Sequence, residues 1–163
     1  MPSHVFSHLM FTCHDDNGEI IETISNAIQG EHSPLDFNKL IPEPPALQDE
    51  RADVLSKALY DWRCKNWGTK WNAYDAETVT KNNCKLVIRY TTAWDIAEPI
   101  INKIFDMFPD VEINLLATYE SRRCTHHVIK EQGKEFIVTR WDDENDKDQY
   151  TRNALFKTFY PSE

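Results

Sequence analysis

The stretch CKLVIRYTTAWDIAEPIINKIFDMFPD, Cys84 to Asp110, divides into two halves that pack in different ways, and the division decides the fold. CKLVIRYTT is β-branched and apolar with no glycine or proline, which is strand composition. In the second half Ile100, Ile101, Ile104, Phe105 and Phe108 recur at helical spacing. Proline is best tolerated in a first helical turn, so the regular helix is expected to start near Pro99, with Pro109 past its end. A strand therefore feeds a helix through Trp94.

Reading outward, TKWNAYDAETV ahead of this segment is expected to be extended, with Trp71 opening the strand, and KNN is a polar turn. Together with CKLVIRYTT they form an antiparallel hairpin. Downstream, VEINLLATYE reads as a strand, and RCTHHVIKE, the turn QGK and EFIVTRW read as a further hairpin. NDKDQYTRNALFKTFY is expected to close the chain as a short helix with Tyr150, Ala154, Leu155 and Phe159 inward.

At the other end VFSHLMFTC is a strand, and GEIIETISNAIQG sets Ile20, Ile21, Ile24, Ala27 and Ile28 on one helical face, with Asn17 as N-cap and Gly30 beyond the end. Three prolines in LDFNKLIPEPPALQ argue against regular structure there, yet Leu35, Phe37, Leu40 and Ile41 are too apolar for water, so an ordered loop is expected. From Asp49, the spacing of Val54, Leu55, Ala58, Leu59 and Trp62 marks a second helix that runs to Trp67 and Gly68. With that inserted helix set aside the order is βαββαβ. The expectation is an α+β, ferredoxin-like split β-α-β sandwich, an antiparallel sheet with helices on one face, ending in a hairpin and a short helix. Residues 1–163 read as a single domain. Such a fold supports many activities, so function must be argued from a site.

With 163 residues and 40% hydrophobic side chains, one domain can bury a core without disulfides. A net charge of −9, from 27 acidic against 18 basic residues, argues against direct binding to a phosphate backbone. Acid gathers in WDDENDKDQY, where Asp142, Asp143, Glu144, Asp146 and Asp148 could be a solvated loop or an acidic interaction surface. No run approaches the roughly 18 apolar residues of a membrane span. The start MPSHVFSHLMF has neither a basic region nor a cleavage site, so a cytoplasmic, unprocessed chain is expected.

Cys13, Cys64, Cys84 and Cys124 form no C-x-x-C pair and read as buried free thiols. His126 and His127 are adjacent on a strand and point apart, while His4 and His8 share a face but lie about 13 Å apart at about 3.3 Å per residue. Neither a metal nor a cofactor is expected. The chain also lacks the G-x-S-x-G, Walker and H-E-x-x-H patterns, and Cys124 with His126, or Glu120 with His126 and His127, are chance-level pairings, so no catalytic residue is assigned.

The densest aromatic segment is WRCKNWGTKWNAYD, Trp62 to Asp75, with three tryptophans among Arg63, Lys65, Lys70, Asn66 and Asn72. A turn with an indole on each side is expected to fold Trp62, Trp67 and Trp71 into a corner that locks helix to sheet, with Asn66 and Asn72 as partners for the indole N–H groups. The alternative is a ligand site: Trp67, Lys70, Trp71 and Asn72, walled by Trp94, would let a base stack on an indole with a cation near its phosphate.

WGTKWNAYD, the phrase DFNKLIPEPP, the start MPSHV and RYTTAWDIAEPIINKIF together resemble the Api92-like family with its YubB-type ferredoxin-like domain, found on phages, plasmids and other mobile elements. The resemblance covers nearly all of residues 1 to 119. It implies a small ferredoxin-like domain of mobile-element cargo and supplies no catalytic residues. Beyond Glu120 the family's glycine-rich continuation is replaced by ESRRCTHHVIKEQGKEF, so residues 120–163 read as a divergent extension of the same domain.

Two functions are expected from these features. One is a non-catalytic acidic interaction protein that binds a host protein or nucleoprotein complex to blunt a defence such as CRISPR or restriction. The other is a nucleotide-binding or sequestering protein that uses the tryptophan corner. An exposed edge strand could also pair with a second copy of the chain.

Overall fold

The computed structural model describes residues 3–15, 17–48, 56–119, 124–130 and 137–142, with side chains through Thr118. Six strands form one sheet in the order β2-β3-β1-β4-β5-β6, every neighbouring pair antiparallel. They are β1 (His4–Thr12), β2 (Tyr74–Lys81), β3 (Lys85–Ala93), β4 (Glu112–Tyr119), β5 (Cys124–Lys130) and β6 (Ile137–Asp142). The architecture is mixed α+β, and β1 is central, paired to β3 on one side and β4 on the other.

Alternation along β1 decides which face is covered. Val5, Leu9 and Phe11 are fully buried, as are Leu86, Ile88 and Tyr90 on β3 and Ile113, Leu115 and Ala117 on β4, and all but Ser7 at this face's β1 positions are apolar. Onto them pack α1 (Glu19–Ile28), through Ile21, Ile24 and Ile28, and α4 (Glu98–Met107), through Ile100, Ile101, Ile104 and Phe105. Each such side chain contributes about 1.5 to 3 kcal/mol by leaving water. On the opposite face Met10, Val87 and Leu116 form a smaller apolar cluster.

Several local expectations need correction. Ile20 is exposed, because the buried stripe of α1 is narrower than the run of isoleucines. Gly18, at φ 79°, takes the N-cap position of α1, while Asn17 Oδ1 accepts the N–H of Glu19 from one residue further out. The proline-rich segment holds regular turns after all. Asp36 caps the one-turn helix α2 (Phe37–Leu40) by accepting the N–H of Asn38, and Pro45–Leu47 form a 3-10 turn that starts on a proline, where the missing N–H costs nothing. α2 packs against both α1 and α4, with Phe37 and Leu40 buried.

The inserted helix, α3 (Lys57–Asn66), opens on Ser56, whose hydroxyl accepts the N–H of Leu59; Asp49 to Leu55 lie outside the described residues. Trp62 is half-buried and packs on the core. β2 begins at Tyr74, three residues later than expected. Asn72 supplies the reason: its side chain accepts the N–H of its neighbour Ala73 and that of Phe37, so side-chain bonds hold the approach to the strand in place of a ladder. Cys13 is buried as expected, but Cys84 is exposed because it lies in the turn between β2 and β3. The predicted C-terminal helix lies outside the described residues.

Candidate functional site

Two aromatic groups, one inside and one outside, replace the single corner expected from Trp62, Trp67 and Trp71. Trp67 is 1% exposed and its Nε1 donates to the carbonyl of Ile41 at 2.9 Å. It meets Phe37 and Trp62 edge to face, at centroid distances of 5.9 and 5.8 Å, and the guanidinium of Arg63 lies 5.1 Å from its ring. Arg63 is itself ion-paired with the half-buried Glu43. Trp67 is thus a core residue that fastens the proline-rich segment to α3, and it is not available to a ligand.

Neither asparagine serves an indole. Asn66 donates to the carbonyl of Trp62 one turn back, and Asn72 joins α2 to the start of β2, donating from Nδ2 to Asp36 Oδ1 at 2.7 Å while accepting from the N–H of Phe37 at 2.9 Å. Asn72 is therefore a structural clamp, its Oδ1 accepting two backbone N–H groups and one of its two amide hydrogens committed to Asp36. The Trp67 carbonyl-bonded indole satisfies itself at the backbone, which sequence alone does not specify.

The outer group is different in kind. Gly68, at φ 78°, reverses the chain after α3, and buried Thr69 donates from its hydroxyl to the carbonyl of Ala93 at 2.7 Å, which pins the turn to the end of β3. Lys70 and Trp71 are thereby placed beside Trp94. The Lys70 ammonium sits 4.1 Å from the centroid of Trp71 and 4.6 Å from that of Trp94, within cation–π range of both. Both indoles remain 38% exposed.

Trp94 is held outward at a cost. Its φ is 72° in the left-handed region, which costs a bulky residue about 1 to 3 kcal/mol. The N–H of Trp94 donates to the carbonyl of Ser3, which ties this conformation to the start of β1. Asp75 at φ 50° and Ala97 at φ 57°, the N-cap of α4, flank the same region.

Four residues that sequence reading did not select complete the face. Tyr60 meets Trp94 edge to face at 6.1 Å, Tyr74 meets Trp71 at 6.1 Å, and His4 meets Tyr74 at 5.8 Å and hydrogen-bonds its hydroxyl. Phe6, 46% exposed, follows beside His4. The register of β1 against β3, which sets His4 opposite Ala93, brings the N-terminal and Trp94 segments together, and no local pattern announces a register.

The acidic candidates Asp142, Asp143, Glu144, Asp146 and Asp148 fall outside the described side chains, with only the backbone of Asp142 placed, at the end of β6. Glu120 lies outside the described residues. Cys124, His126 and His127 are placed by backbone alone on β5, where His126 pairs in register with Ala117 and His127 with Leu116. Among the described residues, no group of three or more His, Cys, Asp or Glu is placed to hold a metal ion, and no helix is long and apolar enough to cross a membrane. No protein-family profile, curated protein or solved structure matches the chain.

Proposed function

We propose that this chain is a non-catalytic interaction protein carried by a phage or another mobile element, which binds a host protein or nucleoprotein complex in the host cytoplasm and thereby blunts a defence system. The observation that carries the reading is the Trp71, Lys70 and Trp94 cluster: two indoles kept in contact with solvent, one by a strained backbone, around an ammonium. Exposed tryptophan and tyrosine beside a cation are the residue types in which binding energy concentrates at interfaces. The acidic run from Asp142 to Asp148 would supply a second, polar contact.

A ferredoxin-like topology for residues 4 to 119 belongs to the same proposal. In its favour, β4-β1-β3-β2 is the strand order of that fold, with α1 between β1 and β2 and α4 between β3 and β4. The resemblance of WGTKWNAYD and RYTTAWDIAEPIINKIF to mobile-element domains supports the same reading, since these two segments supply Lys70, Trp71 and Trp94.

The test is affinity capture from host lysate with identification of the bound component, using the full chain, a Trp71→Ala/Trp94→Ala variant, and a variant with Asp142, Asp143, Glu144 and Asp146 neutralised. A partner retained by wild type and lost by the double indole variant is the expected result. Equal capture by that variant overturns the aromatic face as the binding site. Equal capture by the neutralised variant removes the acidic run from the interface.

A further inference from the structure

The aromatic face has a feature that a flat interaction patch does not need. Its two exposed indoles share one occupant, the Lys70 ammonium, which lies at 4.1 and 4.6 Å from their centroids. The rings can be no farther apart than those two lengths laid end to end. A planar group that takes the ammonium's place would meet an indole face at a stacking distance of about 3.5 Å, with the second indole beside it.

Lys70 also has no ion pair among the described residues. Lys57 pairs with Asp61, Arg63 with Glu43, Lys81 with Glu22 and Arg89 with Glu77, whereas no carboxylate among the described residues pairs with Lys70. Its contacts here are the two indoles, and a long, flexible side chain can leave them without breaking an ion pair. A ligand that offers a planar ring to the tryptophans and an anion to the displaced ammonium satisfies both requirements at once. A nucleotide has that composition. The net charge of −9 disfavours a long polyanion, so a single nucleotide fits better than a strand.

We infer that Trp71, Trp94 and Lys70 form a mononucleotide site, in which the Lys70 ammonium occupies the place of the nucleobase and moves aside on binding to meet the phosphate. The inference rests on the reading of this face as the binding face, and names the chemistry it takes, whether the nucleotide is free or presented by a nucleoprotein complex. Tyr60 and Tyr74, edge-on to the two indoles, fix the rings in place before the ligand arrives.

The experiment is an NMR titration of the tryptophan indole N–H signals of the full chain, assigned with Trp71→Ala and Trp94→Ala. The probes are adenosine and uridine 5′-monophosphates, adenosine, ribose 5-phosphate and oligothymidylate. Saturable shifts of the Trp71 and Trp94 signals by the monophosphates are expected, about tenfold weaker binding by adenosine, as loss of one charge-assisted hydrogen bond would give, and none by ribose 5-phosphate. Lys70→Ala should erase the difference between nucleotide and nucleoside, and Lys70→Arg should keep it.

Silence with both monophosphates overturns the inference, as does equal binding of ribose 5-phosphate. Binding of the oligonucleotide without the mononucleotides overturns it in favour of a single-strand site. If the titration is silent but the double indole variant still loses its captured partner, only this inference falls and the interaction reading stands.

Discussion

His8 shows how the sheet face opposite α1 and α4 adjusts a single residue. It lies on β1 opposite Arg89 of β3 and Leu116 of β4, on the side of the Met10, Val87 and Leu116 cluster. Burial, and then the charge of Arg89, lower its pKa to about 4 from the ordinary 6.5, although Glu77 draws off part of that charge by pairing with Arg89. The unfolded chain therefore binds the proton more readily than the folded one. Stability is full above pH 6.5 and falls as pH drops through the window from 6.5 towards 4. Urea midpoints measured across that window should show a steeper loss for wild type than for His8→Gln; parallel curves would remove His8 as the cause. A second residue-scale prediction concerns Tyr90 and Ser7, register partners whose buried hydroxyls lie close enough to interact yet make no hydrogen bond of good geometry among the described residues. Burial raises the phenol's pKa, with the neighbouring Ser7 opposing, so Tyr90 stays neutral. Tyr90→Phe removes a desolvated polar group and keeps the ring, and should leave stability unchanged or raise it by up to about 1 kcal/mol in urea unfolding.

At the scale of elements, the turn between α3 and β2 links fold to site. Gly68 has φ 78°, and a Cβ added there would lie 2.9 Å from Cδ of Pro99 in the first turn of α4. Gly68→Ala should destabilise the protein by about 1 to 3 kcal/mol in urea unfolding and shift the Trp71 and Trp94 indole N–H signals, because the turn would have to move away from α4. Both strands and the one helix of residues 84 to 119 are legible in sequence, since β-branched composition and a strict helical stripe of isoleucines leave little choice there. The short helix α2 was not, because three prolines dominate its neighbourhood while its cap, Asp36, acts through a side chain held by Asn72 thirty-six residues away. The site was half legible. Tryptophan, lysine and TTAW point to residues that the fold brings into contact, but which indole is buried depends on a carbonyl at Ile41 and on a register, and neither leaves a local trace. An exposed edge strand is the expected pairing surface, and β2 is one edge of the sheet. Its two register shifts and the φ of 50° at Asp75 interrupt the ladder, which makes it a poor template for a second copy.

Across the whole molecule, the two exposed indoles stand outside the apolar core, and this gives a test of the architecture itself. β1 sits between β3 and β4, and Leu9 at its centre is fully buried in the cluster that also holds α1 and α4. Trp71 and Trp94 instead lie outside that cluster, each with more than a third of its surface in water. Leu9→Ala should therefore cost about 2 to 5 kcal/mol, from lost transfer energy and an incompletely filled cavity. Because β1 joins both flanks of the sheet, the loss should appear as one transition, with far- and near-ultraviolet circular dichroism midpoints moving together. Trp71→Ala/Trp94→Ala should cost much less than Leu9→Ala, since replacing Trp94 removes a large side chain from a strained, solvent-facing position and leaves the buried cluster intact. If the double indole variant unfolds as readily as Leu9→Ala, the two tryptophans are part of the core, and loss of binding in that variant would report unfolding in place of a missing contact.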